Sequence, residues 1–158
     1  MSSLITKRLI EFARSEFRLD WDGIHGAPHW SRVRHNGLIL ARHTGANTRV
    51  VEYFAFIHDL GRQNDDHDPE HGIRAAAIAE SIAGDLIDLS AHELALLVEA
   101  CSGHSDGQIL ADVTVMTCWD ADRLDLGRVG IRPDPARLCN DAARHPELLS
   151  GAYRRSMG

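Results

Sequence analysis

Apolar residues recur at spacings of three and four along almost the whole chain, and no long alternating run breaks the pattern. That period lines up side chains on one stripe of an α-helix, whereas a half-buried strand needs a period of two. An all-α fold is therefore expected. Ile5, Leu9 and Phe12 mark a first helix over about 3–18, and a loop rich in Trp, Gly and Pro follows at 20–28. Helices are expected over 28–44, stopping at Gly45, and over 47–60, ending at Gly61 as a C′ residue. Asp68-Pro69-Glu70 joins an N-cap, a Pro at the first helical position and an early acid, so a fourth helix should start there and run to about 83. The capping box Ser90-x-x-Glu93 opens a fifth, to about 102. A sixth covers about 112–126, and Asp134-Pro135 and His145-Pro146-Glu147 begin two short C-terminal helices. Connections of roughly 3–9 residues suit a compact helical bundle.

At 158 residues the chain is expected to form a single domain over 1–158, and 44% hydrophobic content is too apolar for disorder. Seventeen Lys plus Arg against 23 Asp plus Glu leave a charge of -6, which argues against a nucleic-acid polymer as partner. Lys7, Arg8, Glu11 and Arg14 interrupt any leader-like apolar run, so no membrane association is expected. Cys101, Cys118 and Cys139 form no C-x-x-C pair, which suits a reducing, cytoplasmic setting. A monomer or homodimer is expected.

Ten histidines are the unusual entry in the composition, spread from His25 to His145. Several share stripes with core residues. His58 follows Val51 and Phe54, Asp59 follows Ala55 and Phe56, and His29 lies with Val33 and Leu40. Asp120 falls on the stripe Val113, Met116, Leu124; His71 leads into Ala75, Ile78 and Ile82; and Leu94, Leu97 and Cys101 lead to His104. Ionisable groups facing a core are ordinarily paired or bound to a metal. His29, His58, Asp59 and Asp120 together carry two negative charges, which one divalent cation neutralises. His58 and Asp59 differ by about 100° around a helix, so both reach one ion only at a helix end, where Gly61 puts them. Asp122, about 200° from Asp120, is expected to face away and be structural. Mixed nitrogen and oxygen donors suit Mn, Fe, Co, Ni, Zn or Mg.

Three segments in order then resemble the HD-domain superfamily of metal-dependent phosphohydrolases, whose signature is H…HD…D. His29-Trp30-Ser31-Arg32-Val33 is similar to its H-x-x-R-V start, His58-Asp59 to its doublet, and Asp120-Ala121-Asp122-Arg123-Leu124-Asp125 to its D-A-D-x-L-D segment. The similarity spans about 25–131. It implies an HD bundle of six to eight helices around a metal site, with His29, His58, Asp59 and Asp120 as ligands. Some similar proteins hold two ions with further histidines, and His71 and His104 occupy suitable positions. The activity implied is hydrolysis of a nucleotide or another small phosphorylated metabolite by a metal-activated water.

The loop that follows the doublet must pass the mouth of such a site. Arg62 can grip a phosphate through its planar fork, with Asn64 beside it, and Arg123 can do likewise from the sixth helix, three residues after Asp120 on the same face. Leu60, Gly61 and Arg62 stand where some HD phosphatases place a catalytic acid, so Asp66, His71 or His104 would have to supply that group, or the metal alone activates the water. His25 and His67 are loop residues, and His35, His43, His92 and His145 read as surface. Trp30 and Trp119 are expected in the core. No phosphate-binding Gly-rich loop is present. Two other readings follow from the resemblance: a dinuclear iron oxygenase, and a metal-holding regulatory module without turnover.

Overall fold

The computed structural model describes residues 3–158; Met1 and Ser2 of the expected 1–158 domain lie outside them. The fold is all-helical. Its helices are α1 (Lys7–Glu16), α2 (Ala27–Thr44), α3 (Thr48–Ile57), α4 (His71–Ile82), α5 (Ala91–Gly103), α6 (Val113–Arg123), α7 (Asp141–Arg144) and α8 (Pro146–Ser156). Two 3-10 turns, Leu126–Val129 and Pro135–Arg137, join α6 to α7. Among the described residues there is no sheet, only an isolated bridge between Ala83 and Ile87. Among the described residues no helix is long and apolar enough to cross a membrane.

The starts obey local chemistry. Thr6, Asn47 and Asp112 cap α1, α3 and α6 by accepting backbone N–H groups, and Ser90 with Glu93 forms the reciprocal box at α5. The inner layer is α2, packed on α3 and α6, with α5 lying against α3, α4 and α6. Leu9, Val33, Leu40, Val50, Phe54, Ile57, Leu97, Val115 and Leu124 are wholly enclosed in the core. Five of these helices end or begin around one buried polar centre.

Several boundaries differ from expectation. α3 stops at Ile57, and His58 to Gly61 form a turn, which lets the doublet splay. α4 begins at His71 rather than near Pro69. The Asp68 carboxylate does not cap it; it accepts the Gln63 N–H at 2.7 Å and pairs with Arg74, holding the loop to the helix. Asp134-Pro135 opens only a 3-10 turn, and the four-residue α7 was not anticipated.

Two glycines set the spacing at the centre. Gly61 does not adopt the left-handed conformation of a C′ residue. It is needed for close approach, since a Cβ there would lie 2.7 Å from the Arg74 Cβ and 3.1 Å from the His71 carbonyl. At Gly72 a Cβ would lie 2.5 Å from the Cys101 carbonyl, so the α4 and α5 backbones touch beside His71 and His104.

Candidate metal centre

His29 comes from the first turn of α2, His58 and Asp59 from the turn after α3, His71 from the start of α4, His104 from the end of α5 and Asp122 from the last turn of α6. All but Asp122 are at most 5% exposed, and its side chain is 14% exposed. Asp59 is central. Its Oδ2 lies 3.4 Å from Nε2 of both His29 and His58, while its Oδ1 lies 3.6 Å from His71 Nε2 and 3.5 Å from His104 Nε2. Asp122 Oδ1 completes the first set, 3.2 Å from His29 Nε2 and 3.4 Å from His58 Nε2. One carboxylate thus bridges two histidine pairs.

The ring tautomers follow from what faces Nδ1. His58 Nδ1 donates to the Phe54 and Ala55 carbonyls, His104 Nδ1 to that of Cys101, and His71 Nδ1 to that of Asp68. His29 Nδ1 donates to Asp125 Oδ2 at 2.6 Å, and Arg32 Nε fixes the other oxygen of that carboxylate at 2.8 Å. A carbonyl cannot donate, so the hydrogen sits on Nδ1 and each neutral ring turns a bare Nε2 lone pair inward. These lone pairs face each other at 3.0 Å between His29 and His58 and at 2.9 Å between His71 and His104. Asp59 Oδ2 and Asp122 Oδ1 are buried there without a hydrogen-bond partner.

Lone pairs and carboxylates at such distances repel unless a positive charge lies among them. Two donors bonded to one ion at about 2.1 Å stand about 3.0 Å apart at a right angle and about 3.4 Å apart at a tetrahedral angle. The observed separations fall around that range. His29, His58 and Asp59 form one group that could hold a metal ion, and Asp59, His71 and His104 form a second. Each imidazole has the outer-shell hydrogen bond that orients metal-binding histidines.

Protons are the competing cations. Burial opposes charge on His29, but the carboxylates of Asp122, Asp125 and Asp59 outweigh it and push the ring up to about 9. Burial likewise opposes charge on His104, and Asp59 raises it. Burial and the neighbouring His104 lower His71 to about 4. Asp59 and Asp122 resist burial and stay well below the carboxylate range, held there chiefly by His58.

The expected ligand Asp120 is not part of this centre. It is on the opposite side of α6, where Oδ1 accepts the Cys139 N–H at 2.7 Å and Oδ2 accepts the Asn140 N–H at 2.8 Å and its amide at 3.0 Å. Burial raises its pKa despite those bonds. Asp122, expected to face away, occupies the position instead. The misplacement has a physical cause: α6 is buried on several sides, so Val115, Cys118 and Asp122 form a stripe as apolar as the one leading to Asp120. Asp125 was also missed as the anchor of His29, and its spacing of three from Asp122 was the available signal.

Asp66 is a second correction. It is exposed, and only its backbone joins the loop, accepting from Arg62 Nη1 and donating to Asn64 Oδ1. Asp65 instead meets the buried His25, Oδ1 to Nδ1 at 2.8 Å. Arg62 lies beside the centre, its Nε 3.4 Å from Asp59 Oδ1. Arg123 reaches the same cavity but donates to the Arg137 and Gln108 carbonyls, which ties it to the surrounding loops. Asn64 serves the loop through the His67 carbonyl. Trp30 and Trp119 are core residues, each donating to a buried carbonyl. His35, His43, His67, His92 and His145 are exposed.

The centre opens into a cavity of about 640 Å3 whose walls include Arg62, Arg123, Arg128, Arg132 and Arg137. Three acids, Asp59, Asp122 and Asp134, reach it. An anionic ligand is therefore matched to the walls and a cation to the floor. No protein-family model matches the chain, and neither a characterised protein nor a solved structure matches it significantly.

Proposed function

We propose that the protein is a metal-dependent phosphohydrolase of HD type, acting on a nucleotide or another small phosphorylated metabolite. The observation that carries the reading is the Asp59 carboxylate with one oxygen toward each pair of inward histidine lone pairs, beneath an arginine-walled cavity. His29, His58, Asp59 and Asp122 would hold one divalent ion, and Asp59, His71 and His104 a second. Such ions polarise a phosphoryl oxygen and lower the pKa of bound water. Mn, Ni, Fe, Co, Mg and Zn all suit this donor set.

The chain's own groups bind and orient. Arg62 keeps a buried Nε–H that no hydrogen-bond acceptor takes up, so it is available to an anionic oxygen next to Asp59. Arg128 donates to the Ile24 and Asp125 carbonyls, which adds positive charge to the wall and secures the turn behind His29. Asp125 and Arg32 keep His29 in the tautomer that points Nε2 inward.

Metal analysis of the purified protein, with phosphate release from a nucleotide panel with and without Mn or Ni, tests the proposal. Turnover that depends on added metal and is abolished by Asp59→Asn is expected. Protein that binds no metal, or Asp59→Asn with unchanged binding and turnover, overturns it. The second histidine pair also favours the dinuclear iron oxygenase as an alternative. Iron retained after anaerobic purification, with oxygen uptake on a polyol or phosphonate and no phosphate release, would select that activity.

A further inference from the structure

The cavity is larger and more cationic than one phosphoryl group requires. About 640 Å3 lies within the ~300–1,000 Å3 range of sites that enclose whole small molecules. Its five guanidiniums differ in how they are held. Arg62, Arg123 and Arg128 donate to backbone carbonyls, so much of their hydrogen-bonding capacity is taken up internally. Arg132 and Arg137 are exposed on the segment between α6 and α7. The Arg132 guanidinium lies 4.8 Å over the Tyr153 ring, which steadies it while leaving its N–H edge to a ligand. Among the described residues no carboxylate pairs with either side chain. Asp134, between them in sequence, directs Oδ1 to the Ala136 N–H. Leu126, Ile131 and Leu138 supply apolar wall to the same cavity.

We propose that Arg132 and Arg137 bind a second phosphate on the same substrate molecule, so that compounds carrying two separated phosphates are preferred over the matching monophosphates. The inference rests on the phosphohydrolase reading and names its substrate class. One phosphate sits at the histidine-carboxylate floor beside Arg62. The other sits between the two exposed guanidiniums, whose planar forks match phosphate oxygens. The sugar or base joining them lies along the apolar wall.

The test compares kcat/KM for two matched pairs on metal-loaded protein: adenosine 3′,5′-bisphosphate with adenosine 5′-monophosphate, and fructose 1,6-bisphosphate with fructose 6-phosphate. At least a tenfold preference for the bisphosphate is expected in whichever pair is turned over. In the Arg132→Ala/Arg137→Ala double variant that ratio should collapse toward one, and lysine at both positions should restore part of it. A wild-type ratio near one, or a double variant that keeps the wild-type ratio, overturns the proposal. If no compound releases phosphate, the phosphohydrolase reading fails and calorimetry decides the arginine pair separately. Binding of the bisphosphate at least tenfold tighter than the monophosphate, with the difference lost in the double variant, upholds it; equal binding refutes it.

Discussion

Replacing Asp120 and Asp122 one at a time with Asn separates the two sides of α6. Asp120 accepts three hydrogen bonds from Cys139 and Asn140. In Asp120→Asn the remaining oxygen still accepts the Cys139 N–H, but the new amide confronts the Asn140 N–H and side-chain amide. The Asn140 side chain can turn its oxygen to that amide, which leaves one orphaned backbone N–H. A buried donor without a partner costs about 1–3 kcal/mol. At ~2–4 °C per kcal/mol for a domain of this size, Tm should fall by roughly 2–12 °C. Metal per chain should not change. Asp122 Oδ1 makes no hydrogen bond, so Asp122→Asn removes chiefly a negative charge beside His29 and His58. Metal affinity should fall by more than the ~10–100-fold that losing an outer-shell partner produces. Melts followed by circular dichroism, metal analysis and calorimetric titration read both effects. An Asp120→Asn protein stripped of metal beside an Asp122→Asn protein that keeps it would refute the reasoning.

Asp125→Asn weakens the hold on His29 Nδ1 and on Arg32, so metal affinity should drop about 10–100-fold by titration; an unchanged affinity would show that His29 needs no anchor. Because carboxylates hold the metal-free His29 proton up to about 9, metal must displace it at neutral pH. Affinity should therefore rise with pH, about tenfold per unit for each proton displaced, and level off near 9. His71, at about 4, adds nothing to that slope above about pH 5. Calorimetry at pH 7 in buffers of different ionisation enthalpy should register at least one proton released, and a count of zero would sink this account. Gly72→Ala forces a Cβ against the Cys101 carbonyl, so α4 and α5 must separate. A loss of ~1–3 kcal/mol in denaturant unfolding is expected, with the His71–His104 group losing metal before the His29–His58 group; equal loss from both would contradict the geometry.

Much of the fold was legible because helical period and caps are local. Asn47 capping α3 and the Ser90–Glu93 box act within one turn, whatever the rest of the chain does. Asp68-Pro69-Glu70 misled for a tertiary reason: Arg74 and the Gln63 N–H take the carboxylate that would otherwise cap the helix. The site divides in the same way. His58 and Asp59 could be read from sequence because α3 ends beside them, whereas Asp120 and Asp122 could not be told apart on a helix buried on both faces.

The anchoring of the four rings explains why α6 sits as it does. His58 and His104 return Nδ1–H to carbonyls three or four residues back, in the last turns of their helices. His71 does the same to the turn before α4. Those three tautomers are local consequences of a histidine at a helix end. His29 lies in the first turn of α2 and has no such carbonyl; its partner is Asp125, 96 residues away. Asp125 lies in the turn just past α6, its N–H bonded to the Asp122 carbonyl at 3.0 Å, so drawing it to His29 brings Asp122, three residues earlier, to the same side. Asp120, about 200° from Asp122, must then turn away from the centre, where Cys139 and Asn140 receive it. The rotation of α6, and with it the choice of carboxylate at the centre, is thus coupled to the need of a single imidazole for an acceptor.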